Sequence, residues 1–296
     1  MKRIIKIFLA SSFLLGFVLI VHAQIKIQTK EELSQTLITA AERNNFKEVK
    51  SLIAQGANVN VTGKIPWTPL HYAVQKGNLK IAKLLIKNGA DVNAHSYESE
   101  TPLYLAVLNN DEKMVKLLTS QGADVNISLS SWTPLFHACL NGYKTIVKLL
   151  LKNGADVSQE IVSPVHATLF CGEEECTLKD KEEILKILIK YGVDIDAFNA
   201  NSETALDRSV IENNTQMVKV LFKLGANMEK GNHAKWYALI AVRDHNNKEM
   251  LEILIANGAD LNVKNDQGKT PLDYAKSEEI KELLILNGAK SGKDLK

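Results

Sequence analysis

A six-residue string recurs along this chain at almost constant spacing, and no other feature narrows its possible folds so far. It reads TPLHYA from Thr68, TPLYLA from Thr101 and TPLFHA from Thr133. Weaker copies follow: SPVHAT from Ser163, TALDRS from Thr204 and TPLDYA from Thr270. A second string, of the type NGADVN, keeps the same register. Its glycines are Gly56, Gly89, Gly122, Gly154, Gly192, Gly225, Gly258 and Gly288, and they step by 33, 33, 32, 38, 33, 33 and 30 residues. The Thr position and the glycine stand 21 residues apart in most copies, which places two further weak copies at Gln35 and Tyr237. Eight copies of one supersecondary unit argue for an array of stacked repeats.

Each repeat can be read from its residues. Pro69 suits the first turn of a helix, where its missing N–H costs nothing, and Thr68 before it is a good N-cap. Leu70 and Ala73 share one face, and Ala73 is small enough for close helix approach. Gly77 and Asn78 break that helix. Ile81, Leu84 and Leu85 form the apolar stripe of a second helix, which Gly89 ends in the manner of a C-terminal glycine with positive φ. One helix pair cannot bury its apolar face alone, so neighbours must stack. The terminal repeats depart as capping repeats should. Gln35 and Thr36 replace Thr-Pro in the first, and the last is three residues short before Gly288.

On these strings and their spacing the chain resembles the ankyrin repeat family. The resemblance implies an all-α solenoid of stacked helix-turn-helix units joined by β-hairpin-like finger loops. It covers residues 34–290, with 291–296 as a polar tail. In that family His71 and His166, at the fourth motif position, look structural, with ring nitrogens bonding backbone between repeats.

The N-terminus reads separately. Lys2, Arg3 and Lys6 precede an apolar run from Ile7 to Val21, and small residues precede Gln24. Residues 1–23 therefore read as a secretory signal peptide cleaved after Ala23, with 24–33 as a linker. The competing reading is an uncleaved anchor, although about 15 apolar residues are few against the roughly 20 that a span needs. Cleavage would remove three basic residues and take the formal charge from +2 to −1. No basic patch argues for nucleic acid. The mature chain is expected to be exported to a periplasmic or extracellular space, off the membrane and monomeric.

The fifth repeat, about 155–192, is irregular. Its finger is short, and extra residues fall around LFCGEEECTLKDKEE, in the turn between its helices. Cys171 and Cys176 bracket GEEE and form a candidate disulfide in an oxidising compartment, worth about 2 kcal/mol for so small a ring. A Cys139–Cys171 pair, or no disulfide, are the alternatives. The Cys spacing is a poor zinc or thioredoxin signal, and a run of glutamates is usually solvated. No metal and no cofactor is expected.

No phosphate loop, GxSxG elbow or HExxH helix is present, and carboxylates are scattered rather than paired, so an enzyme is not expected. The family resemblance implies a protein-binding scaffold whose finger turns and first helices face the partner. The residues placed there are Trp67, Trp132 and Trp236, each just ahead of a repeat's anchor position. With them stand Lys64, Tyr97, Glu100, Leu129 and Glu203 on or beside fingers, and Lys76 and Leu108 at first-helix ends. Tryptophan is enriched at binding hot spots. The competing reading is that these tryptophans pack across neighbouring fingers. A different class of function is a metal- or haem-handling periplasmic protein supporting oxidative-stress defence, through Cys171, Cys176, His166 and the acidic insertion. Some periplasmic ankyrin proteins of bacteria are linked to such defence.

Overall fold

The computed structural model describes residues 30–63, 65–97, 100–127, 132–157, 163–172, 174 and 176–295. The signal segment, Lys64 and Leu129 fall outside them.

The repeat punctuation works as the residues require. Thr68 is extended (φ −81°, ψ 165°) and Pro69 opens the helix behind it. Thr101 Oγ1 accepts from Tyr104 N at 3.1 Å, capping the next first helix. Gly77, at φ +64°, turns the chain, and Asn78 caps the following helix by accepting from Ile81 N at 2.9 Å. Gly89 ends that helix at φ +88°, and an added Cβ there would meet nothing within 4 Å. Glycine thus serves backbone conformation at this position, not packing.

The chain divides into two compact bodies, Met1–Ser130 and Ser131–Lys296. The first holds three repeats: α1 (30–42) with α2 (Phe46–Ala54), α3 (Pro69–Gln75) with α4 (Leu79–Lys87), and α5 (Pro102–Leu108) with α6 (Glu112–Ser120). First helices pack on first helices (α3 on α5) and second on second (α2 on α4, α4 on α6). The apolar stripes meet between them: Leu70, Ala73, Ile81, Leu85, Ala106 and Leu118 are all fully buried. At about 25 cal/mol per Å² of apolar surface removed from water, this stripe is what makes each repeat depend on its neighbour. Helix α1 is already present at residue 30, so the last four residues of the expected linker are helical.

The second body holds five repeats. They are α7 (Pro134–Leu140) with α8 (Lys144–Lys152), α9 (Pro164–Leu169) with α10 (Leu178–Lys190), α11 (Ala205–Ile211) with α12 (Thr215–Lys223), α13 (Tyr237–Arg243) with α14 (Lys248–Ala256), and α15 (Pro271–Tyr274) with α16 (Glu278–Leu286). Two 3-10 turns, Met228–Lys230 and Ala234–Trp236, precede α13. The insertion of the fifth repeat is divided. Part is the loop after α9, and part is an extra turn at the start of α10, which has 13 residues where α8 has 9. Thr177 and Asp180 close a capping box that starts this longer helix. The final first helix, α15, has only four residues, and Ala275 behind it is extended.

Fingers close as hairpin-like turns without forming strands among the described residues. Ser96 N donates to Glu100 O at 3.0 Å, Asn199 N to Glu203 O at 2.9 Å and Asn265 N to Lys269 O at 3.0 Å. An asparagine ladder joins successive fingers in the first body. Asn60 Nδ2 donates to Gly89 O at 2.9 Å while Asp91 N donates to Asn60 Oδ1 at 2.8 Å, and Asn93 repeats the pattern with Gly122 O and Asp124 N.

Candidate protein-binding surface

In the first body, the finger ahead of α3 and the finger ahead of α5 enclose a cavity of about 390 Å³. Trp67, Tyr97 and Glu100 line it together, as do Glu42, Ile65 and Tyr72. Trp67 is half-buried. Its ring stacks on His71 at 6.0 Å between centroids and meets Tyr72 edge-on at 5.2 Å. Its indole Nε1 donates to Glu100 Oε2 at 3.0 Å, one repeat further on. The two readings of Trp67 are therefore compatible in geometry: it packs across neighbouring fingers and still presents surface to the cavity. Ile65 and Tyr97 stand clear of the body, 62% and 86% exposed. An exposed finger isoleucine and tyrosine beside a tryptophan form an apolar patch that nothing on this body covers.

Glu100 is held for this position. Its amide N donates to Ser96 Oγ, its carbonyl closes the finger turn, and that carbonyl also faces His71 Nε2 at 3.2 Å. His71 in turn bonds Thr68 through Nδ1, at 2.9 Å to the hydroxyl oxygen and 3.2 Å to the amide nitrogen. Burial lowers the His71 pKa, with the Glu100 carbonyl acting against it. Near the cavity the tyrosines shift the other way. Burial, helped by Glu42, raises Tyr72, and burial, helped by Glu100, pushes Tyr104 up to about 12. Both shifts carry the mark of negative charge around this face.

The other expected residues do not gather here. Lys76 is exposed beyond α3 and belongs to a separate shallow groove with Asn109 and Asp111. Leu108 ends α5 at 41% exposure. In the second body Trp132 is 41% exposed and meets Phe136 edge-on at 4.0 Å. Trp236 lies in a 3-10 turn with Lys235 Nζ 5.1 Å from its ring, and it lines a smaller cavity of about 240 Å³ with His233, Arg243 and Asp266. Glu203 repeats the finger role of Glu100: Asn199 Nδ2 donates to its carboxylate at 3.1 Å, and its carbonyl faces His166 Nε2 at 3.1 Å.

Sequence reasoning missed three cavity residues. Glu42 stands 33 residues before Gln75, at the same first-helix end, and the repeat register was the signal that would have found it. Tyr72 follows the motif histidine and points with the finger. Ile65 follows Lys64, and no pattern marked it. A buried hub was missed as well. Asp207, at the motif position of His71, is fully buried. It accepts from Thr204 N, Asn232 N, His233 N and Tyr237 Oη, at 2.8–3.1 Å.

No disulfide joins Cys139, Cys171 and Cys176, and all three are buried. A Cβ built on Gly142 would lie 2.9 Å from the Cys176 sulfur and 3.0 Å from that of Cys171, so both thiols converge on one glycine. Among the described residues no three His, Cys, Asp or Glu side chains group so as to hold a metal ion, and Glu173 and Glu175 lie outside that set. His166, the histidine of the metal reading, is fully buried with Nε2 on the Glu203 carbonyl. Among the described residues no helix is long and apolar enough to cross a membrane.

Family models described as ankyrin repeats match most of the chain. One for three copies matches residues 7–96 and 94–161, and two for many copies match 175–222 and 237–275. No curated protein matches the chain. Repeat period, helix pairs, ladders between fingers and these matches agree, and the chain belongs to the ankyrin repeat family.

Proposed function

We propose that this chain is an exported, non-enzymatic scaffold that holds a partner protein against its fingers and first-helix ends. Ankyrin repeats make it a protein–protein interaction scaffold in general terms; the surface and the export are the proposal. The observation that carries the surface is the cavity under Trp67, Ile65 and Tyr97, an exposed aromatic and aliphatic patch on rigid turns. Aromatic anchors on pre-organised backbone are what hot spots require. The test is affinity capture from the native compartment with the wild-type chain and with Trp67→Ala and Trp132→Ala. A partner retained equally by all, with folding intact by circular dichroism, rejects this surface.

Export rests on Lys2, Arg3 and Lys6 ahead of the apolar run. N-terminal sequencing of the protein from its own host should begin at Gln24. A chain that begins at Met1 and stays with the membrane fraction makes the run an anchor. In an oxidising compartment Cys171 and Cys176 would pair by exchange with a small-molecule disulfide, the two thiols giving up two protons and two electrons to it. Intact mass under non-reducing conditions should then fall by about 2 Da, the two hydrogens lost as the ring closes.

A further inference from the structure

We propose that the cavity between the second and third fingers receives the cationic end of a lysine or arginine side chain carried by a segment of the partner protein. The proposal rests on the scaffold reading above and names the chemistry of its partner.

The cavity combines aromatic faces with carboxylates. Trp67, Tyr72 and Tyr97 supply the rings, and Glu42 and Glu100 supply negative charge. A cation over an aromatic face within about 6 Å is attracted by the ring quadrupole, more strongly as water leaves. No lysine, arginine or histidine lines the cavity among the described residues, and neither glutamate is in an ion pair there. This contrasts with the Trp236 cavity, where Arg243 lines the wall and Lys235 already sits over the ring. Glu100 is also aimed. Trp67 Nε1 and Ser96 Oγ both donate to Oε2, at 3.0 and 3.3 Å, and among the described residues no donor reaches Oε1. A half-buried carboxylate with one committed oxygen and one open oxygen is a ready acceptor for an ammonium or guanidinium group. Glu42, across the cavity, is exposed and adds long-range attraction. The long alkyl stem of lysine or arginine suits Ile65 and the tyrosine edges, while the charge reaches the carboxylates.

The Trp67 indole N–H is a built-in reporter, because it is hydrogen-bonded to the carboxylate that the ligand would engage. The experiment titrates ¹⁵N-labelled full chain with short Gly-Ser peptides bearing one central lysine, arginine, acetyl-lysine or glutamate. The Trp67 indole signal is assigned from its absence in Trp67→Phe. The lysine and arginine peptides should move this signal, and the acetyl-lysine and glutamate peptides should not. Glu42→Gln and Tyr97→Ala replace exposed side chains and should keep the amide spectrum of the fold. Tyr97→Ala should weaken binding about two- to fivefold, as loss of one exposed cation–π contact would, and Glu42→Gln should weaken it in 0.05 M salt and less in 0.5 M. An unmoved Trp67 signal, equal shifts with acetyl-lysine, or variants that bind like wild type would each overturn the proposal. If capture of the native partner is still lost in Trp67→Ala, only the cationic ligand falls. If capture is unaffected too, the scaffold surface falls with it.

Discussion

At the scale of single residues, the fourth position of the repeat motif decides how one repeat is fastened to the next. Histidine there offers a ring nitrogen to the carbonyl of the following finger, as His71 does to Glu100 and His166 to Glu203. Aspartate there takes donors instead, as Asp207 takes two finger amides and a tyrosine hydroxyl. Asp207→Ala strands several buried donors at once, so it should cost at least about 3 kcal/mol in urea unfolding, and Tyr237→Phe about 1.5 kcal/mol or more. The histidines predict a pH effect. Burial holds His71 and His166 below the ordinary value of 6.5. The unfolded chain then binds protons that the folded chain refuses. Stability is full above about pH 6.5 and should fall as the pH drops below it. His71→Gln should flatten that slope in the range below 6.5, read from urea midpoints at a series of pH values.

At the scale of elements, turns carry most of the consequence. Gly142, between α7 and α8, sits at φ +69° with the Cys176 Cβ and both cysteine sulfurs about 3 Å from where a side chain would begin. Gly142→Ala should therefore destabilise the fourth and fifth repeats by about 1–3 kcal/mol, through backbone strain and overpacking together, measured by thermal unfolding. The eighth repeat compensates for its four-residue first helix with the tail. Asp273 accepts from Thr270 N, Ser291 Oγ and Gly292 N. Burial pushes its carboxyl up, but these hydrogen bonds outweigh it and hold the pKa at about 2. The folded value lies below the unfolded one, so the contribution is present above about pH 4 and is lost as the pH falls towards 2. Removing 291–296 should abolish that acid-sensitive increment, and a tail-less chain with an unchanged acid profile would contradict it. The tail, read as merely polar from KSGKDLK, was not legible as a cap, because its partner is a side chain 18 residues upstream.

At the scale of the whole molecule, the period was legible and its interruptions were not. TPLHYA and NGADVN place each helix pair because Pro, Gly and Asn act on local backbone, which sequence displays directly. The eight-residue excess of the fifth repeat was visible as a number, but its division between a loop and an extra helical turn depends on the Thr177–Asp180 box. Of the candidate site, Trp67, Tyr97 and Glu100 were legible from repeat register, whereas Tyr72 and Glu42 needed three-dimensional closure. Stacked repeats add their stabilities locally. Native-state hydrogen exchange should accordingly be fastest in α15 and α16 and slowest at the buried stripes of α4 and α8. Uniform protection along the chain would mean a cooperativity that the repeat contacts do not provide.

The alternation of histidine and aspartate at one motif position also gives the repeats a grammar. A repeat ending in histidine must be followed by a finger that turns a carbonyl inward. One ending in aspartate must be followed by a finger that turns amides inward, as 231–233 does. Two repeats of identical length and helix content are then not interchangeable modules, since each is keyed to its successor. Shuffling the sixth repeat into the place of the second would set a carboxylate against the Glu100 carbonyl. The order of repeats is thus written into the protein at the level of donors and acceptors.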